Sequence, residues 1–398
     1  MTIIRWFLSK KVREAVAMKR HVWKLLQHQR DILKSDEVEK IEFAITEVKR
    51  ALREAVPGPV LKTQTMRLEA AANENLRPYP NAGWRENIEV LLVALTVAMG
   101  IRTFFLQPFK IPTGSMQPTL YGVMSENLMD DPEERIPTGL ARVRDWFAGN
   151  SYVHFVAKTD GVMNRIDPPF RLLIFNIKQT IWFAGRAHTI WFPPDYGAAN
   201  LEQRAGVRMG ARYRAGQDIV KLRVTSGDHL FVDRLTYNFR NPNRGEIIVF
   251  ETKGIYGLPQ DQFYIKRLVA LGGEAVQIGN DRHLIIDRTN RLDSSTPHFQ
   301  FVYGFDPKSP PDDSKYSGHV NQLVGTLAGY QHELSRIFRD ESVVYEVPED
   351  KLMVMGDNTM NSKDSREWGA FPAENVIGRS CFVYWPLSKR FGWGNLKF

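Results

Sequence analysis

Residues 88–106 form the one stretch apolar enough to suggest a membrane span, and a loop punctuated by proline and glycine follows at once. Only residues 90–101 are free of charge, which is short for a span of roughly 20 residues. Counting 88–106 gives 19 positions, with Glu89 and Arg102 near the two ends, where their charges reach the interface. Trp84 and Phe104-Phe105 sit where interfacial aromatics are expected. The pattern predicts a transmembrane helix over 88–107, the alternative being a buried amphipathic helix. Residues 1–87 carry 17 Lys/Arg against 11 Asp/Glu, so the positive-inside bias places the amino terminus in the cytoplasm and the chain from 108 on outside it.

The loop reads Lys110-Ile111-Pro112-Thr113-Gly114-Ser115-Met116-Gln117-Pro118-Thr119-Leu120. Its prolines and glycine oppose both helix and regular strand pairing. Either it is an ordinary turn or it displays the Ser115 hydroxyl just beyond a bilayer. As a nucleophile, Ser115 needs a base. The nine histidines are scattered and none stands in a nucleophile-and-base context. A lysine base must be neutral, and lowering its pKa from about 10.4 to a working range costs roughly 3–4 kcal/mol, which burial can supply. Lys266 lies within an aromatic, β-branched strand and shares a face with Tyr264 and Leu268. A solubilising lysine on an edge strand is the alternative. A third segment, 355–369, is dense in Asp, Asn and Ser that bond their own backbone. It lacks the spacing and closing glutamate of a calcium loop, and reads as a hydrogen-bonded buttress.

The rest of the chain fills in around these segments. Charged content of 25% and hydrophobic content of 43% over 398 residues describe a folded protein with a sizeable core. The net charge of +8 comes without zinc-finger spacing or an RNA-recognition signature, which favours lipid or topology over nucleic acid. A single cysteine, Cys381, excludes an intramolecular disulfide and reads as strand packing. Residues 3–8 lack the apolar run and cleavage site of a secretory signal. Residues 1–56 show helical spacing, broken near Ser35-Asp36. The basic first helix either lies on anionic headgroups or pairs with the second. Residues 57–87 read as linker. The aromatic-rich region 121–220 carries Arg171, Lys178 and Arg186 within its apolar run, which argues against a second span and for strands or an interface-seeking face. After Val220, short β-branched runs alternate with turns, the texture of an all-β domain.

Together these segments resemble bacterial type I signal peptidase (leader peptidase), a membrane-bound Ser-Lys endopeptidase of the secretory pathway. The family's nucleophile box is matched by residues 112–119, with Thr113 in place of its first serine. Its lysine box stands intact as Tyr264-Ile265-Lys266-Arg267; its strand box appears as Arg244-Gly245-Glu246-Ile247-Ile248-Val249-Phe250, with Glu246 for the family's aspartate, and its last box is matched at 356–369. The resemblance implies a mainly β fold, an antiparallel β catalytic domain at 108–398 on a single N-terminal transmembrane helix preceded by a small helical region. An insertion at about 121–220 and a smaller β subdomain at about 275–350 belong to that domain.

The implied activity is removal of N-terminal signal peptides from secreted preproteins bearing small residues at −1 and −3. The implied place is the bacterial inner membrane, crossed once, with the catalytic domain extracytoplasmic. Membrane lipid is an implied partner and the secretion translocon could be another; no cofactor, metal or nucleic acid is implied. Ser115 would attack the scissile carbonyl while neutral Lys266 takes its proton. The Ser115 N–H and the Thr113 hydroxyl would form the oxyanion hole, Ser362 would hydrogen-bond Lys266, and Asp364 with Arg366 would brace the site. Thr359 and Met360 replace an arginine-aspartate pair common in the family, and Ala270 and Gly272 replace a glycine and a proline. A self-cleaving regulator of the repressor type would share the dyad, but the span and the Trp368-Gly369 pair argue against it. A silent membrane scaffold would not need both Ser115 and Lys266.

Overall fold

The computed structural model describes residues 9–77, 82–129, 134–173, 175–304 and 318–393; the opening 3–8 lies outside them. The chain divides into two compact units, Met1–Leu95 and Thr96–Phe398.

The first unit is a helical bundle. Helices α1 (Lys10–Gln29), α2 (Ser35–Arg53) and α3 (Gly58–Asn75) each turn one apolar stripe inward. Val12, Ala15, Val22 and Leu26 of α1 meet Ile41 and Val48 of α2 and Leu61 and Leu68 of α3 in one core, at the three-, four- and seven-residue spacings of helix faces. The Gln29 side chain donates to the Arg77 carbonyl and accepts from the Arg77 N–H, both at 2.9 Å, tying the end of α1 to the exit of α3. The stretch expected as linker from 57 therefore contains a third helix. Its prolines, Pro57 and Pro59, stand at the helix start, where a missing N–H and a fixed φ cost nothing. They delimit the helix instead of breaking it.

Helix α4 runs Ala82–Phe104, beginning before the expected 88 and ending before the expected 107. Arg85 and Glu89, one turn apart with their charges 3.1 Å from each other, extend it on the amino side. Leu106 is already the first residue of a strand. Among the described residues, Gly83–Phe104 is the one helix long and apolar enough to cross a membrane, and none of its most apolar window is buried.

The second unit is mainly β. Its central sheet has seven antiparallel strands: β1 (Leu106–Lys110), β2 (His229–Asp233), β3 (Ile247–Glu251), β4 (Phe263–Ala270), β5 (Lys351–Met355), β6 (Phe371–Pro372) and β7 (Val376–Trp385). Their order is β1-β2-β7-β3-β4-β5-β6. Strand β3 reads as an unbroken apolar run because both of its faces are covered. Ile247 and Val249 enter a cluster with Met116, Leu120, Leu230 and Val383, while Ile248 and Phe250 enter another with Leu268, Val354 and Phe371. Cys381 is buried in β7, as its neighbours suggested, and its thiol donates to the Phe231 carbonyl.

Two further β assemblies are inserted in sequence between strands of this sheet, one between β1 and β2 and one between β4 and β5. Between 124 and 225 lie a three-stranded sheet (Met124–Asn127, Asp218–Thr225, Asn150–Val156) and a five-stranded one around Phe175–Phe183, sharing a core of Val153, Met163, Ile181, Phe183, Val220 and Leu222. A four-stranded sheet is formed by Ala275–Ile278, Leu284–Ile286, Asn290–Arg291 and Val344–Glu346.

Candidate active site

Strand β4 changes neighbours along its length, and this places Lys266. Residues Phe263–Arg267 pair with β3, with Lys266 opposite Ile248, whereas pairing with β5 begins only at Arg267, opposite Met355. The edge of β4 before Arg267 is thus free of β5. Tyr264 and Leu268 join the apolar cluster of Ile248, and Ile265 joins the opposite one, so the two-residue alternation read from the sequence holds. The Lys266 ammonium lies 5.8 Å from the centre of the Tyr264 ring.

The nucleophile loop follows β1. Ser115 and the residues through Leu120 are buried, while Pro112 and Thr113 are exposed. Lys266 Nζ and Ser115 Oγ are 2.7 Å apart, although 151 positions separate the residues in sequence. Each residue is only 5% exposed, which matters because a solvated lysine would stay charged. Burial pulls the Lys266 ammonium down to about 8, against the opposing pull of the Asp364 and Asp357 carboxylates; Arg366 lowers it further. Thr113 Oγ1 lies 3.5 Å from Ser115 Oγ. The Ser115 N–H makes no hydrogen bond among the described residues.

The polar box at 356–369 holds the loop from its other side. The Asn358 N–H donates to the Ser115 carbonyl at 3.0 Å, and Asn358 Nδ2 donates to the Gly114 carbonyl at 3.1 Å. Gly356 has to be glycine: a Cβ there would lie 2.2 Å from Ser362 Oγ and 2.5 Å from the Ser115 carbonyl oxygen. Asp364 accepts from Arg366 Nε and Nη2 at 2.9 Å each and from the Gly356 N–H at 2.9 Å. Both side chains of this pair are fully buried. Burial would raise the Asp364 carboxyl, but Arg366 and the Gly356 N–H outweigh it and hold it below the usual carboxylate range.

Ser362 stands apart from its expected part. Its hydroxyl lines the cleft and is buried without a hydrogen-bond partner among the described residues, so it does not bond Lys266. It helps to lower Asp364 without reaching hydrogen-bond geometry. Ser362 lies close against Gly356.

Thr359 takes over part of the work expected of an ion pair. Its hydroxyl accepts from Arg366 Nη1 at 2.6 Å and from the Val320 N–H at 3.0 Å. Met360 packs with Val320 and Leu334.

Three residues escaped the sequence reading. Arg267, beside the lysine, is bidentate to Asp357 at 2.7 and 2.6 Å, and Thr119 donates to the same carboxylate. Exposures of 3% and 0% make this a second fully desolvated pair, joining β4 to the box and to the nucleophile loop. The available signal was an arginine inside a buried strand, which demands an anion.

A cleft of about 530 Å³ opens over the dyad, with Pro112, Thr113 and Ile265 among its lining on one hand and Leu334, Met360 and Asn361 on the other. The arrangement can hold a hydroxyl against an amine that burial biases toward its neutral form, beside the Ser115 N–H and the Thr113 hydroxyl, under an open cleft.

The family model described as signal peptidase, peptidase S26 matches residues 84–128 and 220–385, just over half of the chain. A probable signal peptidase I-1 of Synechocystis sp. is 31% identical over 173 residues, covering 43% of this chain and 67% of that protein. A signal peptidase I of Leptolyngbya laminosa is 32% identical over 165 residues, covering 41% and 62%. Thylakoidal processing peptidase 1, chloroplastic, of Arabidopsis thaliana is 28% identical over 169 residues, covering 41% and 38%. The chain thus spans from 38% to 67% of the length of these relatives. The first matched segment carries the Ser115 box and the second the Lys266 box, and the chain belongs to the signal peptidase, peptidase S26 family.

Proposed function

We propose that the protein is a membrane-anchored serine endopeptidase that removes N-terminal signal peptides from secreted preproteins. The observation that carries this reading is the 2.7 Å approach of Lys266 Nζ to Ser115 Oγ in a buried setting. Neutral Lys266 takes the Ser115 proton as Oγ attacks the scissile carbonyl carbon. Negative charge moves to the carbonyl oxygen, where the Ser115 N–H and the Thr113 hydroxyl are the available donors. Lys266 then returns the proton to the departing amine as the C–N bond breaks, leaving the signal peptide esterified to Ser115. Water releases it, with Lys266 again accepting the proton. A lysine titrating near 8 is neutral often enough to act near neutral pH, and the lowering corresponds to roughly 3 kcal/mol of differential destabilisation of the ammonium.

The free edge of β4 beside Lys266 supports a substrate bound as an added strand, with backbone bonds supplying affinity. Small residues at −1 and −3 follow from the resemblance of the boxes. Helix α4 supports the anchor: 22 residues reach about 33 Å, enough for a hydrocarbon core of about 30 Å. The lysine and arginine excess before it supports a cytoplasmic amino terminus and an extracytoplasmic dyad, in the bacterial inner membrane.

Cleavage of a test preprotein by detergent-solubilised wild type, Ser115→Ala and Lys266→Ala tests the reading. Wild type is expected to cut after the small-x-small site, with both variants folded and inactive. Cleavage by either variant in contaminant-free protein would overturn the dyad, and a wild type silent on several preproteins would overturn the activity.

A further inference from the structure

The nucleophile loop is closed at its two ends by one residue. The Ile111 N–H donates to the Asp228 carbonyl at 2.9 Å, and the Asp228 N–H donates to the Tyr121 carbonyl at 2.8 Å. The Tyr121 N–H in turn donates to Asp228 Oδ2, also at 2.8 Å. Asp228 therefore holds the residues on either side of 112–120, the segment with Ser115 near its middle. Its neighbour Gly227 lets the chains come this close, since a Cβ there would lie 1.9 Å from the Ile111 carbonyl oxygen.

Asp228 is fully buried, and an unpaired carboxylate at such a place is costly. Arg390 supplies the counter-charge from beyond β7. Its Nε lies 2.9 Å from Oδ2 and its Nη2 2.9 Å from Oδ1, a two-pronged bond that fixes the plane of the carboxylate. The same guanidinium lies over the Tyr121 ring, 4.1 Å from its centre. Arg390 thus grips both the clasp and one end of the loop. Neither residue lines the cleft over the dyad.

We propose that Asp228 and Arg390 are a positioning pair that clasps the nucleophile loop and sets Ser115 Oγ against Lys266. The assignment rests on the peptidase reading above. A hydroxyl must be held within about half an ångström of its productive place, and misplacement by about 1 Å costs about a hundredfold in rate. Because the pair touches neither the open edge of β4 nor the ammonium, its loss lowers turnover while leaving substrate affinity and the lysine's titration in place.

The test is cleavage of a preprotein by the full chain in detergent, comparing wild type, Asp228→Asn, Arg390→Ala and Arg390→Lys. The readouts are kcat, KM, the pH profile and the melting temperature. Arg390→Ala and Asp228→Asn are expected to lower kcat by about tenfold to a hundredfold. KM should stay within about twofold, the inflection near pH 8 should stay where it is, and Arg390→Lys should recover part of the loss. A folded Arg390→Ala with wild-type kcat overturns the assignment. So does a shift of the inflection, which would make the pair an electrostatic partner of Lys266. If Asp228→Asn does not fold, Arg390→Ala decides; failure of both to fold makes the pair a general stabiliser and overturns the assignment too. Silence of the wild type overturns the peptidase reading together with this one, whereas an active wild type with an equally active Arg390→Ala overturns this one alone.

Discussion

Lys266 spends its time beside two carboxylates and still titrates low, because burial outweighs them. In the proposed role Lys266 works only when neutral, and the neutral fraction rises as pH passes upward through the folded-state value of about 8. With chemistry rate-limiting, kcat is expected to climb about tenfold per pH unit below that point and level off above it. A profile flat from about pH 5 to 10 would remove Lys266 from the role. Ser115 and Lys266 stand out in the sequence because each poses a demand visible along the chain: a serine in a loop broken by proline and glycine, and a lysine inside an aromatic, β-branched strand. Asp357 does not, since its meaning depends on Arg267, 90 positions earlier, and on Thr119, 238 earlier. Ser362 packs closely against Gly356, and its hydroxyl has no hydrogen-bond partner among the described residues, Lys266 included.

At the scale of elements, the box at 356–369 and strand β4 act as one support. The box's own ion pair is wholly desolvated, so removing one partner strands the other. Asp364→Ala is expected to lower unfolding free energy by about 3–5 kcal/mol in chemical denaturation, by leaving Arg366 buried without its anion. A loss below about 1 kcal/mol would mean that Thr359 and the carbonyls around Arg366 suffice to hold its charge. The strands of the central sheet were legible from short apolar runs between turns. Helix α3 was not, because its prolines and its asparagines sit at the two ends and its interior carries few large apolar residues: Leu61 and Leu68, with Ala72, form its buried stripe. Composition averaged over 57–87 hides that stripe, and the helix's own amphipathic pattern is weaker than that of α1 or α2.

At the scale of the molecule, α4 links the helical unit to the β unit along the chain, and none of its most apolar window is buried. If lipid covers it, a cation in its middle carries a cost of about 2.5–3.5 kcal/mol each. Val93→Arg with Leu95→Arg is therefore expected to shift the protein from the membrane pellet to the alkaline-extractable fraction; retention in the pellet would mean that other surfaces hold it there. The helix was legible as a single apolar stretch, but its bounds were not, since Arg85 and Glu89 prolong it and β1 claims Leu106. The clasp on the nucleophile loop, finally, has a consequence in time. Ser115 is synthesised early, Lys266 comes 151 residues later, and Arg390 follows Asp228 by 162. On the proposed clasp, a ribosome-bound chain carrying the serine but not yet residue 390 has its hydroxyl in an unclasped loop, so full turnover is expected only once synthesis has passed the arginine.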